Sequence, residues 1–575
     1  MNISKINIVL FSALSMVFSS CLDLEPKAQL AETNLWQDVD QYKLFASQFY
    51  GWTRDFVDLD DGPHSDGRSD LRTGATLDIY SNGTYAIPSS DDNYTDNYNR
   101  IRQVNLLLSN AESYPIPEDI AVYVGEAKFF RAYLHFDLVQ IYGNIIMVDK
   151  PLTVTSSELH KERDDRGKVI DFIIQDLQDA IEVLPSNSEI STDDLGRVSK
   201  QAAQAFLSRV ALYEGTWQKF RNDGQVNNER SSSLLGIAAK AADEVIKSGE
   251  FSLFKPADLS TNAYKYMFIL EDTKSNPASI KKDANNEYIF SRRHDEVLRP
   301  IGFNITQGRL GNAVYITRKL ANMYLTSDGL PINEEETDYS TMNSEFKNRD
   351  NRMAGTLMVS GEYYWSNGPG RVNWTGDAED KASATFKPFY PSDRGGSGYF
   401  TQKWCTERTV ATGKEAYDFP IIRYAEVLLN YAEAVFERDG TISDDDLKKS
   451  INLVRKRVNP DMPDLTNSFV DTNNLDMRTE IRRERTVELF DEGFRMDDLK
   501  RWKTAETEMT MDLLGVKYVD TEFQKEWPDM SNPTNSDGCI VLESGRVWQD
   551  KHYLYPLPTD QLKLNPNLKQ NPGWE

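Results

Sequence analysis

Cysteine and histidine are scarce in this chain of 575 residues, which holds three of the first and five of the second. The histidines, His64, His135, His160, His294 and His552, are scattered, and no two stand at the helical spacing of metal ligands. The Gly-x-Ser-x-Gly turn that presents a hydrolase serine is missing. Gly368 and Gly370 lack the third glycine and the flanking strand of a dinucleotide loop. Beyond residue 20 no apolar run approaches the length of a membrane span. Cations are also in deficit: 65 Lys and Arg face 90 Asp and Glu, a net charge of −25. Such a surface repels nucleic acid and anionic lipid, so by elimination the expected ligands are neutral.

What is present begins with a secretory signal. Lys5 precedes an apolar stretch from Ile6 to Phe18, interrupted only by Asn7, Ser12 and Ser15. Ser19 and Ser20 lead straight into Cys21, an arrangement that resembles the bacterial lipobox, with Phe18 where Leu or Val is usual. The expectation is that residues 1–20 are removed and that Cys21 carries acyl chains, which anchor a body to the membrane at about 0.8 kcal/mol per buried methylene. Residues 21–30, with Pro26, read as a lipidated tether, and 31–575 as one body. Cys405 and Cys539 then remain, either paired or as buried thiols.

The body is dominated by the helical period. Val104, Leu107, Leu108 and Ala111 form one apolar stripe, and Ala127, Phe130, Leu134, Leu138 and Ile141 a second. Ile170, Ile173, Ile174, Leu177, Ile181 and Leu184 form a third, and Ala203, Phe206, Leu207, Val210 and Ala211 a fourth. Spacings of three and four place each set on one face of a helix. Ala238, Ala241, Ala242 and Val245 add a small-residue helix, and the pattern returns in Ala425, Leu428, Leu429, Ala432 and Phe436. Gly440 then reads as a C-cap, and Ser443 with Asp446 as the capping box of a helix carrying Leu447, Ile451, Val454 and Val458. Helical pairs of this kind predict a mainly α fold, a tetratricopeptide-like scaffold over 31–250 and 420–505. From 251 to 419 the period fades into Gly, Pro, Asn, Asp and aromatics, which predicts a loop-rich, ordered insertion.

Ten rings lie between Tyr363 and Trp404, in 42 residues, about twice the chain average of 11%. They follow neither helix nor strand spacing, and Gly, Asn, Asp and Arg371 stand among them. Sugars need that mixture: C–H faces pack on flat rings while hydroxyls bond to amides, carboxylates and guanidiniums. A second stretch of this kind runs from Tyr80 to Asn99, with Tyr85, Asn93, Tyr94 and Asn97. The acidic run Asp58, Asp60, Asp61, Asp66 and Asp70 departs from the calcium-loop template at Gly62 and reads as a solvated loop. No cofactor or metal is therefore predicted, although a structural calcium is compatible with the run. The arginines Arg482, Arg483, Arg485 and Arg495 sit in a segment, Thr479 to Lys503, with seven basic and seven acidic residues, which predicts that its charges are satisfied internally.

Several blocks together resemble the SusD/RagB family of surface nutrient-binding lipoproteins of Bacteroidetes. They are CLDLEP, AKFFRAYLHFDLVQIYGNI, GRVSKQAAQAFLSRVALYEGTW, FPIIRYAEVLLNYAEAVFE, RRERTVELFDEGFRMDDLKRW and YLYPLPTDQLKLNPNLKQNPGW, in that order along the chain. The resemblance implies four tetratricopeptide-like pairs decorated by an irregular ligand-binding region, and no enzymatic activity. It implies a surface-exposed, outer-membrane lipoprotein that passes glycan to a TonB-dependent transporter of SusC type. By position it points to Asp66, Arg68, Tyr85, Asn93, Tyr94, Tyr364, Trp365, Arg371 and Trp374 as ligand contacts. Two alternatives stay open: a helical-repeat lipoprotein that binds protein or peptide, and a glycosidase, whose paired carboxylates are defined by spatial separation.

Overall fold

The computed structural model describes residues 36–575 apart from 61, 75–77, 222–227, 274, 312–313, 361–362, 366–370, 374–395 and 407–409. Cys21, its tether, Asp61 and Trp374 lie outside the described residues.

The longer helices are α1 (Val39–Ser47), α2 (Asp92–Ala111), α3 (Pro117–Tyr142), α4 (Arg166–Val183), α5 (Lys200–Lys219) and α6 (Asn228–Ser248). Towards the C-terminus follow α7 (Tyr424–Asp439), α8 (Asp444–Lys449), α9 (Ile451–Arg455), α10 (Met477–Glu488) and α11 (Arg495–Arg501). Each of α2 to α6 packs on the next in sequence, and α7 closes on α6 and α10, so the helices form a layered array. The mainly α scaffold expected from the periodicity is what the chain adopts.

Local chemistry sets the boundaries. Pro117 opens α3, where its missing N–H costs nothing. The Asp165 carboxylate accepts from the amides of Gly167 and Lys168 at the start of α4. Gly440 ends α7 at φ 73°, the left-handed conformation anticipated for it, and Ser443 Oγ accepts from Asp446 N at 3.1 Å. The helix expected from Ser443 to Val458 is instead two pieces. Ser450 breaks it, with φ −130° and ψ −99°, and its hydroxyl bonds back to the Asp446 carbonyl.

Helix α3 departs from the single stripe expected of it. Phe129, Ala132, Tyr133, Phe136 and Val139 are buried as well as Ala127, Phe130, Leu134, Leu138 and Ile141, so from Gly125 onward the helix is buried around almost its whole circumference. Its buried polar groups find partners beyond the helix: Arg131 with Asp176 of α4 at 2.7 Å, and Glu126 with Arg197, in the turn before α5, at 2.6 Å.

The strands are β1 (Arg72–Thr73), β2 (Tyr288–Arg292), β3 (Tyr315–Ile316), β4 (Tyr363–Trp365), β5 (Arg371–Asn373), β6 (Phe419–Arg423), β7 (Leu513–Lys517) and β8 (Cys539–Glu543). They make four antiparallel pairs, β1–β3, β2–β6, β4–β5 and β7–β8. Pairing of Tyr288 with Arg423 and of Arg292 with Phe419 fastens the 251–419 region to the start of α7. Within that region the described α-helices reach only seven residues.

Two features tie the chain together over long sequence distances. The 477–501 segment anchors a buried ion network in which Arg423 contacts Glu488 and Glu492 at 2.7 Å and Glu287 at 2.8 Å. Arg457 shares Glu287 and Glu488, Arg352 holds Asp350, Glu484 and Glu488, and Lys403 pairs with Glu492. The C-terminal segment folds back on the N-terminal half: Tyr555 stacks on Tyr80 at 4.7 Å, and Asn571 Nδ2 donates to the Tyr142 carbonyl at 3.1 Å. Cys405 and Cys539 are free and buried, which settles the choice left open by their count. No helix among the described residues is long and apolar enough to cross a membrane.

Candidate functional site

The repeat DNYTDNY at the start of α2 places Asp92, Asn93, Asp96 and Asn97 on one side of the helix and Tyr94 and Tyr98 on another. Each side lines a different cleft.

The polar side faces a cleft of about 330 Å³. Its opposite wall is the segment from Gly51 to His64, its floor is Tyr133 and Asp137 of α3, and Arg292 closes one end from β2. Asp137 organises the floor. Asn97 Nδ2 donates to its Oδ2 at 2.9 Å, Arg54 Nη2 to its Oδ1 at 3.2 Å, and His64 Nε2 lies 3.1 Å from Oδ1. The other imidazole nitrogen of His64 is 2.7 Å from Asp497 Oδ2. Burial and the Arg54 charge work to lower the His64 pKa, but the two carboxylates outweigh them and hold it above its ordinary value. Burial likewise opposes ionisation of Asp137, and bonding to His64, the Arg54 charge and Asn97 overcome it, so this carboxylate stays ionised well below the usual range. Arg292 Nε meets Asp55 Oδ2 at 2.6 Å, and Asp55 also bonds His294 at 3.1 Å. Trp52 stands half-buried on the wall, packed against Phe49 with ring centroids 5.0 Å apart.

The aromatic side of α2 borders a second, apolar cleft of about 520 Å³. Tyr94 and Tyr98, 4.8 Å apart, line it with Ile146, Val148 and Leu152.

The residues expected from sequence therefore divide. Asn93 lines the polar cleft and Tyr94 the apolar one. Arg68 Nη1 donates to the Tyr555 hydroxyl at 2.5 Å, and Tyr85 packs on Tyr80, Tyr555 and Trp574, so both face the C-terminal segment. Asp66 is wholly buried and accepts from the amides of Asp491 at 2.5 Å and Arg495 at 3.2 Å. Tyr364 pairs with Val372, and Trp365 with Arg371, in the β4–β5 hairpin, away in sequence from both clefts. Three of the ten rings in that stretch, Tyr399, Phe400 and Trp404, are core: Trp404 is fully enclosed and bonds to the Asp491 carbonyl at 3.0 Å.

The acidic run is the solvated loop expected only at its start, where Asp60 is exposed; Asp66 and Asp70 are buried. Asp60 pairs with Arg72 and Arg309, and Asp70 with Arg495 at 2.7 Å and Lys319 at 2.8 Å. Its partners lie up to 429 residues away, which is why composition alone misread it. Among the described residues no cluster of His, Cys, Asp or Glu is placed to hold a metal ion. Trp52, Arg54, His64, Tyr133, Asp137 and Arg292 are cleft residues that sequence reasoning missed. The signal that could have found them is DNY recurring at a spacing of four in DNYTDNY, which marks one face of a helix.

Stacked helical pairs carrying a polar cleft between the helices and irregular segments define a helical-repeat binding scaffold. The chain belongs to the SusD family, whose sequence model matches residues 270–574. A second model, described as "Starch-binding associating with outer membrane", matches residues 73–212. Among curated proteins, SusD-like protein P2 of Formosa agariphila is 27% identical over 242 residues, 38% of this chain and 46% of that one. SusD-like protein P38 of the same organism is 23% identical over 209 residues, 34% and 40% of the two chains. The matches thus span less than half the length of these relatives. A SusD-like carbohydrate binding protein from Bacteroides fragilis shares the fold with a TM-score of 0.72 at 21% identity, over 93% of this chain and 99% of the other. A further SusD-like protein of that species superposes with a TM-score of 0.71 at 24% identity, over 94% and 98%.

Proposed function

We propose that this chain is a surface lipoprotein that captures a neutral oligosaccharide in the polar cleft beside α2 and delivers it to a TonB-dependent transporter of SusC type. The observation that carries the reading is the lining of the cleft. Planar amides, carboxylates and guanidiniums already fixed by one another surround a volume at the lower end of the range for small-molecule sites. Trp52 and Tyr133 supply ring faces within the same cleft. Five carboxylates, Asp55, Asp58, Asp92, Asp96 and Asp137, outnumber Arg54, Arg100, Arg292 and a protonated His64, so a uronate or sulfated sugar is disfavoured. The carbohydrate-binding description of the Bacteroides fragilis neighbour and the outer-membrane description of the second sequence model support the same reading. Lipid on Cys21 holds the body at the outer membrane, and the cleft binds without transforming. The hairpin of Tyr364, Trp365 and Arg371, with Trp374 beyond it, supplies further contacts for a longer chain.

The test is calorimetric titration against a panel of neutral oligosaccharides of glucose, mannose and xylose. Trp52→Ala and Asn93→Ala are each expected to weaken the best ligand about tenfold, the loss of one stacking or hydrogen-bonding contact. Unchanged affinity in both variants removes the cleft as the site. New reducing ends after incubation with the bound glycan would make the protein a glycosidase instead.

A further inference from the structure

The apolar cleft beside α2 shares no residue with the polar one. Tyr94, Tyr98 and Arg102 line it from α2, Ile146 and Val148 from the segment after α3, and Leu564 and Leu568 from the C-terminal segment. Its volume of about 520 Å³ lies well within the range of small-molecule sites. The cleft is also preformed. The Tyr98 hydroxyl donates to the Ile146 carbonyl and accepts from the Ile146 amide, each at 3.0 Å, so the ring is fixed and its polar end is used. Tyr94 packs on Tyr98 and Tyr142, with centroids 4.8 and 5.4 Å apart.

Three large aliphatic side chains of the lining stand open to solvent: Val154 is 94% exposed, Leu564 70% and Leu159 40%. In a chain of net charge −25, aliphatic groups that converge on one cavity mark a surface built to be covered. Shape and charge choose the occupant. From Tyr94 to Arg102 the α2 lining runs for about 12 Å along the helix axis, an elongated strip rather than a round hole. Aliphatic side chains outnumber the two rings in the lining, which suits a flexible chain better than a flat ring system. Arg102, at the end of the strip, is exposed and makes no side-chain hydrogen bond or ion pair among the described residues. The acid of the lining, Glu158, is held by Lys150 at 2.5 Å, so the Arg102 charge is left uncompensated.

We propose that the apolar cleft binds a free carboxylic acid with an acyl chain of medium length. The chain lies along Tyr98, Ile146 and Leu564, where its burial drives association, and the carboxylate meets the Arg102 guanidinium. Tyr94, expected from sequence as a sugar contact, belongs to this second ligand.

The experiment is calorimetric titration of the intact protein with decanoate and with decanol, each below the concentration at which it aggregates. Decanoate is expected to bind saturably. R102Q is expected to weaken decanoate about fivefold, the worth of one exposed ion pair, and to leave decanol unchanged. L564E sets a charge beside the acyl chain and is expected to weaken both ligands about tenfold or more. Arg102 and Leu564 are exposed, so neither variant removes core packing, and V154D repeats the second test from another part of the rim. No saturable binding of decanoate, or an undiminished affinity for it in R102Q or L564E, overturns the proposal. So does an equal loss of decanol in R102Q. Binding of phenylpropanoate without decanoate would assign the cleft to an aryl acid, and binding of phosphatidylcholine vesicles without decanoate would make it a membrane contact; either result overturns the acyl assignment. None of these substitutions touches the polar cleft, so the outcome is read separately from that of the sugar titrations.

Discussion

His64 sits between two carboxylates, Asp137 at 3.1 Å and Asp497 at 2.7 Å, directly beneath the polar cleft. Its folded pKa lies above the ordinary imidazole value, so the folded protein holds this proton more tightly than the unfolded chain. The stability gained is fully present below the unfolded pKa of about 6.5 and is lost as pH rises through the folded value. Tm should therefore decline on the alkaline side of pH 6.5, and His64→Gln should flatten that decline; parallel curves for parent and variant would show the imidazole neutral. Asp66, pushed up to about 7 by burial and by the charge of Asp491, acts in the same direction over a lower window, between about pH 4 and 7. Neither behaviour was legible in the sequence. An aspartate run reads as solvated, and a lone histidine as unremarkable, when Arg495, Asp491 and Asp497 stand more than 400 residues away.

At the scale of elements, helices were legible because burial on one face imposes a period of three and four, which composition cannot hide. Helix α3 was legible in place but not in environment, since Glu126, Arg131 and Gln140 look solvent-facing until Arg197, Asp176 and Asp497 supply their partners. The 251–419 region was legible only as a loss of period. Its rings could not be sorted into ligand surface and core, because Tyr399, Phe400 and Trp404 are enclosed by segments distant in sequence. One close approach shows how these short elements are held. The segment at Ser397 lies against β7, whose Val516 amide donates to the Ser397 carbonyl at 2.8 Å. A Cβ at Gly515 would overlap that carbonyl oxygen and crowd the Ser397 backbone. Gly515→Ala should cost roughly 1–3 kcal/mol of stability, read from denaturant midpoints at unchanged slope. A midpoint equal to that of the parent would mean that the segment is not seated on β7.

The whole molecule depends on ion pairs drawn from separate parts of the chain. Arg423 is buried among Glu287, Glu488 and Glu492, and removing it leaves these three interior carboxylates with only Arg457, Arg352 and Lys403, which already share them. Arg423→Met should destabilise by about 3–5 kcal/mol. Added salt should not reproduce the loss, because buried pairs are screened far less than surface pairs. A variant with the urea midpoint of the parent would show that the network contributes nothing. Family membership was legible in blocks spread along the chain, whereas the cleft is assembled from segments near residues 52, 64, 93, 137 and 292, which no local motif unites. The return of the C-terminal segment onto Tyr80 and Tyr142 has a kinetic meaning. A chain made from its N-terminus cannot complete the packing around Tyr80 until Tyr555 exists, nor bond the Tyr142 carbonyl until Asn571 does. Native closure therefore waits until synthesis has passed Asn571, and every shorter nascent chain exposes the surface that Tyr555 and Asn571 cover.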